Sequence, residues 1–169
     1  SESTGEWIKT STQEYLDKAN ALSRGLLRLG VNKNDKIAII SSNNRTEWHI
    51  TDIGVLQTGA QTVPMYPTIS AEDYEYILNH SESKYVFVSD DEVYEKLKSI
   101  KANVPTLKEV YSYNDISGCK SWKEILELGA DKENQDVVED RKNNVSTTDL
   151  ATIIYTSGTT GRPKGVMLT

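Results

Sequence analysis

The chain has 169 residues, and its 19 Lys and Arg against 25 Asp and Glu give a net charge of −6, so no basic field draws it to nucleic acid or to an anionic bilayer. Its 37% hydrophobic and 26% charged residues, with three Trp, nine Tyr and one Phe, describe a folded globular chain rather than a disordered one. The longest apolar runs, Ile37 to Ile40 and Tyr85 to Val88, fall far short of the roughly 20 residues that a spanning helix needs, and the lone Cys119 excludes an internal disulfide or a zinc site built on several thiolates.

The opening Ser1-Glu2-Ser3-Thr4-Gly5 has no basic segment followed by an apolar one, so the expected compartment is the cytoplasm. Ser11-Thr12-Gln13-Glu14 has the form of a capping box, and Tyr15, Ala19, Leu22, Leu26 and Leu29 behind it recur at helical intervals, ending at Gly30. Lys36 to Ser41 reads as a buried strand, and Asn44, with Glu47 three residues on, opens a helix predicted from Arg45 to Gly59. Ala60 to Met65 is a strand again, and Pro64 and Pro67 are expected to confine its end to a sheet edge or an exit loop. Ser70-Ala71-Glu72-Asp73 caps a helix carrying Tyr74, Ile77 and Leu78; Lys84 to Ser89 is the clearest strand. Val93, Leu97 and Ile100 mark one helical face behind Asp90-Asp91, Leu107 to Tyr111 is a further strand, and Ser121-Trp122-Lys123-Glu124 opens a helix through about Leu128.

Strands alternating with helices predict an α/β fold: a mainly parallel sheet with helices on both faces. Residues 1–130 form this α/β subdomain. Residues 131–148 are polar apart from Val137, Val138 and Val145 and are expected to be an exposed, mobile connection, and residues 149–169 a strand–loop–strand hairpin.

The hairpin carries the chemistry. Thr156-Ser157-Gly158-Thr159-Thr160-Gly161-Arg162-Pro163-Lys164-Gly165 packs four hydroxyls, three glycines and two cations into ten residues, a composition that lets N–H groups and hydroxyls close on a phosphate with Lys164 supplying charge. It is not a Walker A loop, because no Gly-Lys-Ser/Thr falls at the required spacing and Pro163 and Gly165 flank the lysine. With Tyr155 before it, the segment resembles the signature of the adenylate-forming (AMP-binding) superfamily of acyl-CoA synthetases, peptide-synthetase adenylation domains and luciferases. Upstream, Asp35 to Ser41, Asn44-Arg45-Thr46-Glu47-Trp48, Val63-Pro64-Met65-Tyr66-Pro67-Thr68 and Tyr85 to Val88 resemble the N-terminal subdomain of long-chain fatty acid–CoA ligases, with Thr46 standing where that pattern has proline.

The resemblance implies a two-step reaction: a fatty acid carboxylate attacks the α-phosphorus of ATP to give an acyl-adenylate and pyrophosphate, and coenzyme A then displaces AMP. It implies that the loop holds the β- and γ-phosphates, with hydroxyl bonds from Thr156, Ser157, Thr159 and Thr160, close backbone approach at Gly158, Gly161 and Gly165, charge neutralisation by Lys164, and Mg²⁺ as counter-ion. Arg162 is an equal choice between a solvated loop arginine and a phosphate contact. The adenine, ribose and acyl sites of the family lie beyond Thr169, so the expectation is an inactive N-terminal fragment of a larger ligase. An amino-acid- or short-acid-activating relative shares the loop, and a stand-alone anion- or partner-binding α/β module remains the alternative of a different class. No transmembrane segment is expected, peripheral membrane contact stays open, and a truncated sheet would expose an apolar face able to drive self-association.

Other residues read as structural. His80 is expected to cap carbonyls at its helix end, His49 to have a similarly non-catalytic role, and Trp48 and Trp122 to pack; Cys119 is an ordinary loop or strand-end residue, Glu139-Asp140 is solvated, and Tyr66-Pro67-Thr68 is more a strand exit than a ligand contact.

Overall fold

The computed structural model describes residues 7–156 and 161–169. Among them a single sheet runs in the order β5-β4-β3-β1-β2-β6-β7. The central strands are β1 (Lys36–Ile40), β2 (Gln61–Met65) and β3 (Ser83–Val88), followed outward by β4 (Glu109–Ser112) and the two-residue β5 (Lys120–Ser121). On the other side stand β6 (Thr152–Thr156) and β7 (Lys164–Leu168). Every pairing is parallel except that of β6 with β7.

Alternation along the strands divides the core in two. Ala38, Ile40, Val63, Val86 and Val88 face α3 (Ala71–Ser81) and α4 (Asp91–Ile100), where Tyr74, Ile77, Leu78, Val93 and Leu97 meet them. Ile37, Ile39, Tyr85, Phe87 and Tyr111 face α1 (Thr12–Arg28), α2 (Thr46–Leu56) and α5 (Trp122–Leu128), where an aromatic row runs from Phe87 through Tyr113 to Trp122. The expected helices on both faces are present.

Local chemistry accounts for most element ends. The Ser11 hydroxyl accepts the Glu14 N–H at 3.1 Å, but the reciprocal half of the predicted box does not form, because the Glu14 carboxylate pairs instead with Lys18 at 2.7 Å. Gly30 (φ +79) and Val31 turn their N–H groups back to the Leu27 and Leu26 carbonyls and close α1. α5 carries the complete capping box between Ser121 and Glu124.

Three expectations change. α2 begins one residue later than predicted: Arg45, not Asn44, is the N-cap, and it makes no side-chain cap bond. Pro64 lies inside β2, between β1 and β6, rather than at an edge or in an exit loop. Gln61 N–H donates to the Asp35 carbonyl on the β1 side and Thr62 N–H to the Ala151 carbonyl on the β6 side, so alternation aims the nitrogen of Pro64 at β6. The bridge to β6 is at Thr62 and Thr152, two residues before the proline, so no ladder donor is missing there.

The third is the stretch expected to be a mobile connection, which holds α6 (Gln135–Asn143). A single apolar side chain, Val138 at 0% exposure, docks it. The remaining anchors are polar: the Arg141 guanidinium donates to the Thr58 carbonyl at 2.6 Å and to that of Val31 at 3.4 Å, and Gln135 accepts from Arg24. A helix held by side-chain bonds to distant carbonyls leaves no hydrophobic period in the sequence.

At the C-terminal ends of β1 and β3 the two hydroxyls of Ser42 and Ser89 donate to Asp90, which also caps α4 by accepting the Val93 N–H at 3.1 Å. Burial opposes the Asp90 charge, but these donors outweigh it and hold the carboxyl below the ordinary aspartate range. Replacing this cap, Asp90→Ala, should cost about 1 kcal/mol in urea unfolding at pH 7. The depressed pKa makes that contribution present above the ordinary aspartate value and lost as pH falls through the lower folded one, so the difference from wild type should narrow below about pH 4.

Candidate functional site

β6 and β7 pair in the register Thr152↔Leu168 to Thr156↔Lys164. Ile153 and Tyr155 point into the core against α3, which puts Thr152, Ile154 and Thr156 on the opposite face with their partners Leu168, Val166 and Lys164. Thr156 and Lys164 therefore stand side by side on the last rung, both exposed, where the chain leaves the ladder. Because β6 runs parallel to β2, the loop opens at the same sheet edge as the turns that lead from β1, β2 and β3 into α2, α3 and α4.

Of the predicted phosphate-binding residues, Ser157, Gly158, Thr159 and Thr160 lie outside the described residues. The structure brings the other four, Thr156, Gly161, Lys164 and Gly165, to the mouth of one hairpin. Lys164 has no ion pair or hydrogen bond among the described residues, so its ammonium is available to an anion. Gly161 has φ +107 with no atom within 4 Å of where a Cβ would stand, so glycine is needed there for conformation and not for space. At Gly165 the reason is space, since a Cβ would come within 2.8 Å of Ile153 Cγ2 and 3.2 Å of Tyr155 Cζ.

Two of the three helix N-termini at this edge are capped by side chains of the chain itself. Ser70 accepts the Asp73 N–H at the start of α3 and Asp90 caps α4, while Arg45 at the start of α2 is paired with Glu47 at 3.1 Å. The crevice between β1 and β3, where the chain's crossovers leave in opposite directions and where α/β folds often bind ligands, is closed by the Ser42–Ser89–Asp90 bonds. Exposed donors and a free cation thus coincide at the β6–β7 mouth.

His80 does not cap its helix. Its Nδ1 lies 2.7 Å from the Tyr155 hydroxyl, and α3 is closed instead by Glu82 in the left-handed conformation, its N–H turned to Asn79 and Leu78. Arg162 is exposed, and its guanidinium lies 5.0 Å over the Tyr76 ring with no ion pair among the described residues. Neither Tyr76 nor the His80–Tyr155 pair could be found from local pattern, since 75 residues separate His80 from Tyr155. Tyr66 is 70% exposed while its carbonyl accepts the buried Tyr74 hydroxyl at 2.9 Å, and Trp122 is buried. Burial pushes the Cys119 thiol up, away from the thiolate that a nucleophile needs. Among the described residues no three His, Cys, Asp or Glu side chains gather as a metal site, and no helix is long and apolar enough to cross a membrane.

Comparison with known proteins agrees with this geometry. The model of the AMP-binding enzyme family matches residues 2–169. A long-chain-fatty-acid–CoA ligase of Mycobacterium tuberculosis is 38% identical over 165 residues, covering 98% of the chain and 27% of the relative. A long-chain-fatty-acid–CoA ligase of Homo sapiens is 32% identical over 171 residues, covering 96% and 25%. The chain thus spans about a quarter of the length of these curated relatives. Among solved structures, a fatty acyl CoA synthetase of Mycobacterium tuberculosis superposes with a TM-score of 0.76 at 25% identity, covering 96% of this chain and 29% of that one. A red-emitting luciferase of Phrixothrix hirtus gives 0.77 at 24% identity, covering 97% and 31%, which speaks to the fold alone.

The Gly165 contact is testable. Gly165→Ala should destabilise the hairpin by about 1–3 kcal/mol through crowding against Ile153, and Ile153→Ala should cost less in that background than in the wild type when both are followed by urea unfolding.

Proposed function

Since the chain belongs to the AMP-binding enzyme family, we propose that it supplies the nucleotide-phosphate loop of an ATP-dependent long-chain fatty acid–CoA ligase. The observation that carries this reading is the pairing of an exposed threonine hydroxyl, Thr156, with Lys164, whose ammonium has no partner among the described residues, on the last rung of the β6–β7 ladder. Such a set suits a polyphosphate: hydroxyl and backbone donors fix the oxygens, and one mobile cation meets charge wherever it accumulates.

In the proposed mechanism, Thr156, Ser157, Thr159 and Thr160 donate to the β- and γ-phosphate oxygens, while Gly158, Gly161 and Gly165 let the backbone approach or turn. Lys164 counters the charge that grows on pyrophosphate as the fatty acid carboxylate attacks the α-phosphorus. An interaction that strengthens as the bond breaks lowers the barrier, whereas one equally strong before and after does not. Mg²⁺ would arrive with the nucleotide as its counter-ion and would help to neutralise the phosphate charge. Coenzyme A serves the second step, in which this loop has no assigned part. Residues 1–130 are the scaffold for the hairpin at 149–169, and residues 131–148 join the two. We place the protein in the cytoplasm, with peripheral membrane contact as its route to fatty acid, and expect residues 1–169 alone to be inactive. The exposed Val166, Met167 and Leu168 on β7 favour self-association of the isolated chain.

The reading predicts that Lys164→Ala in the full-length protein lowers ATP–pyrophosphate exchange by about 100-fold. Thioester formation from preformed acyl-adenylate should stay within about two-fold of wild type, because the half-reaction that this loop serves has been bypassed. Unchanged exchange, or a loss confined to the thioester step, would remove Lys164 from the role.

A further inference from the structure

Among the described residues the strand pairing of the two arms ends at Thr156 and Lys164. What the described residues offer instead is one face of α3. On the entering arm the buried Tyr155 places its hydroxyl 2.7 Å from His80 Nδ1, with the rings edge to face at 5.7 Å and 89°. On the returning arm the Arg162 guanidinium covers Tyr76 at 5.0 Å. Tyr76 and His80 are four residues apart on the helix, and their rings lie 5.5 Å apart with a 32° tilt. A continuous file of rings and one guanidinium, Tyr155, His80, Tyr76 and Arg162, thus ties both arms to a single helix.

The helix is a firm support. Tyr74, Ile77 and Leu78 are buried beneath it, Ser70 caps its start and Glu82 closes its end. Between it and the turn at 161–163 lies a groove of about 400 Å³ lined by Glu72, Asp73, Glu75 and Asn79. Those three carboxylates make the ground under Arg162 negative. A cation stacked on an aromatic face amid negative charge is held where it stands and is not the group to deliver to a phosphate.

We propose that His80 and Tyr76 are positioning residues for the phosphate loop, His80 acting through Tyr155 on the entering arm and Tyr76 through Arg162 on the returning one. This deepens the reading of the loop as a nucleotide-phosphate site and rests on it. Hydroxyls and N–H groups on a ten-residue loop bind a polyphosphate well only if their arrangement is fixed before it arrives, and anchoring the two arms fixes the span between them.

The test uses the full-length protein with Tyr155→Phe, which keeps the ring and removes only the hydroxyl, with His80→Phe, with both together, and with His80→Asn, whose amide can occupy the place of Nδ1. Two readouts are taken: KM for ATP against kcat in pyrophosphate exchange, and the rate of tryptic cleavage at the Lys164–Gly165 bond without nucleotide. Each Phe variant should raise KM for ATP about five-fold with kcat nearly unchanged, and should speed cleavage by a similar factor. The double variant should be no worse than either single one, and His80→Asn should return to within about two-fold of wild type. Tyr76→Leu should speed cleavage as well. Additive losses in the double variant, or KM and cleavage rates that do not move, would overturn the proposal. Failure of the wild type to exchange with any acid would instead overturn the ligase reading, while the cleavage rates would still decide whether α3 holds the loop.

Discussion

The seating of β6 against β2 is the constraint on which everything at the loop depends. Thr62 makes the hydrogen bonds of that seating, donating its N–H to the Ala151 carbonyl at 3.1 Å and accepting the Thr152 hydroxyl at its own carbonyl at 2.9 Å. Two residues later Pro64 offers no donor, so the ladder cannot continue toward the strand end. Beyond that bridge β6 still packs beside β2, and it is held along its whole length by its register with β7 and by the buried side chains of Ile153 and Tyr155.

Charge at this edge is arranged by subtraction. α/β folds bring several helix N-termini to the same edge, each able to attract an anion. Here Ser70 and Asp90 occupy two of them, and Arg45 is tied to Glu47 and Asn114 at the third. The crevice at the change of crossover direction is filled by hydroxyls and a carboxylate. Of the cations near the hairpin, Lys33 is paired with Asp149 and Arg162 is stacked on Tyr76, which leaves Lys164 as the free one among the described residues. A fold-level rule would have looked at β1 and β3; the chemistry of the individual residues points to β6 and β7.

Much of this was legible in the sequence because the forces are local. Ser11, Ser70, Asp90 and Ser121 cap the helices that they precede, since a cap is decided within four residues. The strands were visible because strands buried on both faces read as apolar runs. The loop stood out because its glycines, hydroxyls and cations are contiguous in the sequence. What stayed hidden depends on partners far along the chain. α6 is docked by Arg141 onto carbonyls more than 80 residues away, Pro64 is tolerated only because of where its neighbour's ladder stops, and His80 meets Tyr155 across the sheet face. No period or spacing encodes these, and each was read locally as something blander: a connection, an edge, a cap.

The most direct test of the account is ATP–pyrophosphate exchange by the full-length protein with palmitate, with acetate and with mixed amino acids, with residues 1–169 alone assayed in parallel. The account predicts exchange that depends on palmitate in the full-length protein and none from residues 1–169. Exchange with acetate or amino acids alone would contradict the long-chain assignment while keeping adenylation, and absence of exchange with every acid would contradict the central claim.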